Sequence, residues 1–195
     1  IDTASEGFRR GRNLDKIGMH AGDTSELFFE DVFVPDDAVL GGLGEGFRIM
    51  MRELPRERLV LALGGVGAMA GALEWTRDYA LERQAFGQPV AKFQNTRFRM
   101  AEMTTEYRLN RAFMNECIAK YMAGELDAPT ASMAKLAATE AQCSVIDGCL
   151  QLFGGYGYMR EYPIARAFAD ARVQRIYGGT SEIMKELISR DVLGR

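Results

Sequence analysis

The chain carries a single histidine, His20, and only three cysteines, Cys117, Cys143 and Cys149. One histidine argues against a multi-histidine zinc site and against a Ser-His-Asp triad, and His20 itself is assigned no role. No two cysteines have CxxC spacing and their number is odd. They read as buried, reduced thiols of an intracellular protein rather than as a disulfide frame. There is no basic block to favour nucleic acid and no acidic tail to favour disorder. The 24 basic and 27 acidic residues are mixed, with a net charge of −3. No signal peptide is present, and no apolar run reads as long enough to span a membrane. The longest weakly charged stretch, Leu59 to Leu73, contains Gly64, Gly65, Gly67 and Gly71. It is expected to be a buried helix packed closely against its neighbours. Internal repeats and low-complexity segments are missing. So is an initiator methionine before Ile1, which suggests a piece of a larger protein.

What is present suits one or two globular domains with a real core: 195 residues, 47% hydrophobic and 26% charged. Residues 1–40 read as β. Ser25 to Val34 is rich in β-branched and aromatic residues, and Pro35 ends the run because it cannot donate to a sheet ladder. A stretch this short can form only part of a sheet and needs partners. From about Gly44 the period becomes helical. Phe47, Ile49, Met50 and Leu54 predict a short helix interrupted before Pro55. A long helix is expected from Arg56 to about Arg83, with Leu59, Leu63, Val66, Met69, Ala70 and Leu73 on one face. After a loop over residues 84–92, a second long helix is expected from Phe93 to Ala123, closed by Gly124. Asp127 and Pro129 start a third, which runs to about Phe153. Two shorter helices come next, near 163–173 and 180–193. The expectation is a mainly α protein: the closing strands of a β domain (1–40), then an antiparallel helical bundle (41–195).

Three segments carry chemistry. Arg83-Gln-Ala-Phe-Gly87 is either an ordinary interhelical turn or a cofactor loop with an arginine fork and an aromatic ring. Gln151-Leu-Phe-Gly-Gly155 is a helix C-cap, a place where backbone meets a ligand closely, or both. Tyr177-Gly-Gly-Thr-Ser-Glu182 ends in a capped helix start, a natural receptor for hydrogen-bond-accepting ligands. Glu57, in Pro55-Arg-Glu-Arg-Leu59, reads from spacing alone as a solvated surface carboxylate.

Together these segments resemble the C-terminal part of the acyl-CoA dehydrogenase family, over essentially the whole chain but only about the second half of a member. Most short- and medium-chain members carry the catalytic glutamate in a late Tyr-Glu-Gly-Thr motif. Here the matching position is Gly178, in Tyr177-Gly-Gly-Thr180. Long-chain and isovaleryl-type members carry it in an earlier Glu-Arg-Leu segment, which Glu57-Arg58-Leu59 matches. Tyr156-Gly-Tyr-Met-Arg-Glu-Tyr-Pro163 also matches the long-chain members. The resemblance therefore implies an FAD-dependent dehydrogenase that converts a fatty-acyl-CoA to the trans-2-enoyl-CoA. Glu57 would be the α-proton base and flavin N5 the hydride acceptor.

By the same resemblance Arg83, Phe86, Gln94, Gln151, Leu152, Gly154 and Gly155 would bind the FAD of a neighbouring subunit. Thr180 and Glu182 would touch the flavin end of the subunit's own FAD. Arg58, Tyr177, Gly178 and Gly179 would contact substrate, and no metal is implied. FAD shared between subunits implies a dimer at least, usually a dimer of dimers, with electron-transferring flavoprotein as electron acceptor. A bacterial cytoplasmic enzyme comes first, a mitochondrial matrix one second. The alternatives are an acyl-CoA oxidase or flavin monooxygenase of the same fold, or a non-catalytic helical assembly module. Retention of Glu57 argues against the monooxygenases, which need no α-proton base. Some of the eleven methionines, including Met50, Met51, Met100 and Met103, could line an acyl pocket, although most are expected to fill the core.

Overall fold

The computed structural model describes residues 1–194. The chain divides into two compact units, residues 1–53 and the remainder from Leu54 onward. In the first, strands β1 (Phe8–Asn13) and β2 (Ser25–Phe29) form an antiparallel pair with a register shift between Arg10 and Asn13. Phe8 and Phe29 face each other across it with ring centroids 5.4 Å apart, a favourable cross-strand aromatic pair. The β run is shorter than its composition suggested. Val32 to Val34 is not in a strand, because Asp31 turns at φ 49° and the described residues offer no third strand for it to pair with.

Helix α1 (Gly46–Glu82) is one continuous element, and not two helices broken at Pro55. Proline removes one N–H from the helical ladder but permits helical φ, so the helix passes through it. By length and composition alone α1 is apolar enough to cross a membrane, contrary to the expectation from sequence. Much of that apolarity belongs to its packed face, where Leu59, Ala62, Val66, Met69, Ala72 and Leu73 are buried.

The second unit continues with a two-residue-per-strand hairpin, β3 (Gln84–Ala85) and β4 (Gln88–Pro89), within what sequence read as a plain loop. Both central residues, Phe86 and Gly87, have positive φ (51° and 77°). That is the combination a type I′ hairpin requires. Helix α2 (Gln94–Met122) ends before Gly124, whose φ is 73°. Helix α3 (Ala128–Phe153) starts at Asp127, whose carboxylate accepts from the Thr130 amide at 2.6 Å. That hydrogen bond is the first cause holding the Asp127 carboxyl below its ordinary range. Helices α4 (Pro163–Ala171) and α5 (Ser181–Leu193) complete the bundle, with Thr180 capping α5.

Helix α3 is central: it packs against α2, α4 and α5. Its inner face is built from small residues, with Ala131, Ala134, Ala138, Val145, Ile146, Gly148 and Cys149 buried. Small side chains permit close approach. At Gly65 of α1 an added Cβ would sit 3.1 Å from Gln142 Oε1 and 3.2 Å from the Ala138 carbonyl.

The three cysteines are unpaired thiols, Cys117 and Cys149 buried. Burial pushes the Cys149 thiol up to about 11, against opposing effects of Thr76 and Arg99. An unfolded chain would release that proton near pH 9, while the folded one keeps it. The stabilisation is therefore complete below pH 9 and is lost as pH rises through about 11. Its size is on the order of 2–3 kcal/mol. Urea midpoints measured from pH 8 to 11 should fall less steeply for Cys149→Ala than for the parent. Equal slopes would remove the thiol as a cause.

Candidate active site

Two cavities in the helical unit collect most of the residues singled out in the sequence. The first, about 440 Å³, is lined by Arg56, Glu57, Val60, Leu61, Tyr177 and Gly178. Glu57 is exposed on α1. It stands in the cavity wall beside Val60 and Leu61, one turn along the same helix. The opposite contribution comes from the segment between α4 and α5. There Gly178 and Gly179 have φ of 65° and 99°, backbone that only glycine adopts at little cost. An added Cβ at Gly178 would fall 2.3 Å from Leu61 Cδ1, and one at Gly179 2.5 Å from Met184 Cε. Burial pushes the Tyr177 phenol up, against the hydrogen bond it shares with Gln174.

Arg58 does not join this cavity. It is 6% exposed and turns toward α3, where Nη1 donates to Ser132 Oγ at 3.3 Å. Burial is the main influence on its guanidinium and lowers its pKa, while Glu57 raises it. Among the described residues its Nε has no hydrogen-bond partner.

The second cavity, about 700 Å³, is lined by Tyr79, Arg83, Val90, Phe153, Tyr156 and Met159 together with Gln151, Leu152, Gly154 and Gly155. Five of the expected cofactor contacts thus share one wall. Tyr79 builds its floor: the hydroxyl donates to the Phe153 carbonyl at 3.1 Å, and the ring stacks on Phe153 with centroids 4.2 Å apart. The Arg83 guanidinium lies 5.2 Å above the Tyr156 ring. Space is open around Gly154 and Gly155, where an added Cβ would meet nothing within 4 Å. A cationic fork, a carboxamide and bare backbone are the donors a phosphorylated, adenine-bearing cofactor needs. Phe86 and Gln94 stand outside this cavity. Phe86 is 98% exposed at the hairpin tip, its ring edge-on to Phe93. Thr180 Oγ1 accepts from the Ile183 amide at 3.3 Å. The Glu182 carboxyl is held below its ordinary value by its own backbone amide first and by Thr180 next.

Sequence reasoning missed the supports of the glycine segment. Lys135 of α3 has no exposed surface, and Nζ donates to the Gly179 carbonyl at 2.7 Å. Glu140 accepts from Ser181 Oγ at 2.6 Å and pairs with Arg175 at 2.7 Å. The available signal was a lysine inside the alanine-rich stripe from Ala131 to Ala138.

The helical unit thus holds a carboxylate-lined cavity and a cationic, glycine-walled one. Residues 44–193 match the model of the acyl-CoA dehydrogenase C-terminal domain, and the chain belongs to that family of FAD-dependent oxidoreductases. It is 50% identical over 193 residues to the mitochondrial long-chain specific acyl-CoA dehydrogenase of Sus scrofa, covering 99% of this chain and 45% of that protein. The acyl-CoA dehydrogenase of Geobacillus kaustophilus superposes with a TM-score of 0.96 at 45% identity, over 98% of this chain and 50% of that one. An acyl-CoA dehydrogenase of Bacillus anthracis in complex with FAD superposes at 0.95 with 28% identity, over all of this chain and 36% of that one. The chain spans about half the length of the curated relatives it matches.

Gly178→Ala would force a Cβ into left-handed backbone against Leu61. A loss of about 1–2 kcal/mol in unfolding free energy is expected. Gly64→Ala, on an exposed and open helical position, should be neutral or stabilising by comparison. Denaturant unfolding of the two variants checks the contrast.

Proposed function

We propose that the protein containing this chain carries out FAD-dependent α,β-dehydrogenation of a fatty-acyl-CoA thioester, with Glu57 as the α-proton base. The observation that carries the reading is that Glu57 and Gly178 line one cavity. A carboxylate reaching in from α1 serves the space that a side chain at 178 would otherwise serve. The α-proton of a thioester is too weakly acidic for a carboxylate in water. The site must therefore stabilise charge developing on the thioester oxygen. None of the described hydrogen bonds uses the amides of Gly178 or Gly179, so both are free to donate. Val60 and Leu61 give the cavity aliphatic walls. When substrate fills the space between such walls, water is displaced from around the carboxylate.

FAD, when bound, supplies the hydride acceptor. Arg83, Gln151, Leu152, Gly154 and Gly155, with Phe86 and Gln94, would hold the FAD of a neighbouring subunit, and Thr180 and Glu182 would meet the flavin end of the subunit's own FAD. Tyr177, Gly178 and Gly179 would contact the thioester, while Arg58 would act from the α3 side. Residues 1–40 would be the closing strands of a β domain and 41–195 the bundle domain. Exposed Leu27 and Phe29 fit a strand that packs against further sequence. A homo-oligomer sharing FAD sites, electron transfer to an electron-transferring flavoprotein and a bacterial cytoplasmic setting complete the proposal.

The test uses the complete FAD-loaded protein, anaerobically, with acyl-CoAs of graded length. Flavin bleaching by at least one thioester is expected in the parent, and at a rate roughly 100-fold lower or less in Glu57→Gln. Equal bleaching in both proteins would remove Glu57 as the base. No bleaching with any thioester would sink the reading, and rapid peroxide formation in air would turn it toward an oxidase.

A further inference from the structure

The glycine segment beside Glu57 has no side chains at 178 and 179 with which to hold itself. Its backbone sits in the left-handed region at both positions, and two exposed residues of α5, Glu182 and Ile183, come soon after. Something else must select one conformation from the many that glycine permits. Helix α3 supplies three fixed points: Glu140 pairs with Arg175 before the segment and with Ser181 after it, and Lys135 reaches the Gly179 carbonyl between them. Only the Lys135 contact falls within the glycine pair.

We propose that Lys135 is a positioning residue for the reaction: by donating from a fully buried Nζ to the Gly179 carbonyl, it fixes the Gly178–Gly179 backbone as the wall of the cavity opposite Glu57. Three observations support this. First, Lys135 is wholly buried, and a buried ammonium is expensive unless it is hydrogen-bonded. Burial lowers its pKa, with Glu140 and Glu182 raising it and Arg58 lowering it further. A residue serving packing alone would be better as leucine or methionine. Second, its described hydrogen bond goes to the carbonyl of the Gly179–Thr180 peptide, which fixes the C-terminal end of the glycine pair. Third, Leu61 and Met184 crowd the segment from the flanks without bonding to it, so they restrict it sterically but do not orient its carbonyl. The lysine thus acts through the backbone and never touches substrate or cofactor.

The proposal rests on the dehydrogenase reading, and the experiment separates the two. In the complete FAD-loaded protein, Lys135→Met keeps the shape of the side chain and removes the donor. Lys135→Arg keeps a donor and a charge. Thr76→Val removes a different buried hydroxyl, which bonds the Ala72 carbonyl far along α1. Hydrogen exchange read by mass spectrometry should show residues 176–180 exchanging roughly 10- to 100-fold faster in Lys135→Met, the loss expected for one charge-assisted hydrogen bond. Peptides from α2 and the rest of α3 should exchange as in the parent. In steady-state kinetics kcat should fall by a similar factor with KM little changed, and Lys135→Arg should recover part of both effects. Thr76→Val should show neither. Parent-like exchange over 176–180 in Lys135→Met would overturn the proposal, and so would acceleration spread evenly through the bundle. If the parent protein dehydrogenates no thioester, the dehydrogenase reading fails while the exchange comparison still decides whether Lys135 holds the segment.

Discussion

The bundle depends on the close approach of its neighbours to α3. Alanine and glycine along that helix let backbones come near, and near backbones leave little room for water. Every polar group on the inner face must then find a protein partner. Lys135, Ser132, Glu140 and Gln142 sit on that helix. Three of the four reach out to other elements: Ser132 to Arg58, Lys135 to Gly179 and Glu140 to Ser181 and Arg175. These bonds turn a packing face into a template, because each one ties a loop or a neighbouring helix to a defined height along α3. Among the described residues Gln142 Oε1 has no hydrogen-bond partner, and an added Cβ at Gly65 would lie 3.1 Å from it.

The two cavities differ in what builds them. The Glu57 cavity joins a rigid helix to a glycine segment that has no intrinsic shape. The other joins the C-terminal end of α3 to an aromatic cluster, in which Tyr79, Phe153, Tyr156 and Tyr162 lean on one another with centroid distances of 4.2 to 6.2 Å. Aromatic clusters of this kind are stiff and offer both a flat face and hydroxyl groups. Arg83 lies over that cluster. Its guanidinium therefore has a neutral resting place against Tyr156 that leaves it available to an incoming anion.

Helix positions were legible from punctuation. Asp127, Pro129, Gly124, Pro163 and Thr180 mark boundaries within a residue or two of where the helices start and stop. The sequence misled at Pro55, since a proline can lie inside a helix as readily as it can start one, and at Val32 to Val34, since β-rich composition makes a strand only where a partner strand exists. The gathering of Glu57 with Gly178 and of Arg83 with Gln151 was foreshadowed by motif resemblance and not by periodicity, because each pair is far apart in the chain. Arg58 was expected near substrate and is turned into the α1–α3 seam: adjacent positions on a helix face different ways, so its neighbour Glu57 could not predict its direction. Lys135 belongs to no motif, and its mark in the sequence is its place inside the alanine-rich stripe from Ala131 to Ala138.

Leu61 Cδ1 occupies the space that a side chain at 178 would need. A side chain at 178 and the leucine at 61 compete for one volume, so neither position can change freely while the other is held. Placing a glutamate at 178 would first meet a clash and a disfavoured backbone, and shrinking Leu61 first would leave a hole beside Glu57. The two positions therefore share one volume, and the side chain at either sets what the other can hold.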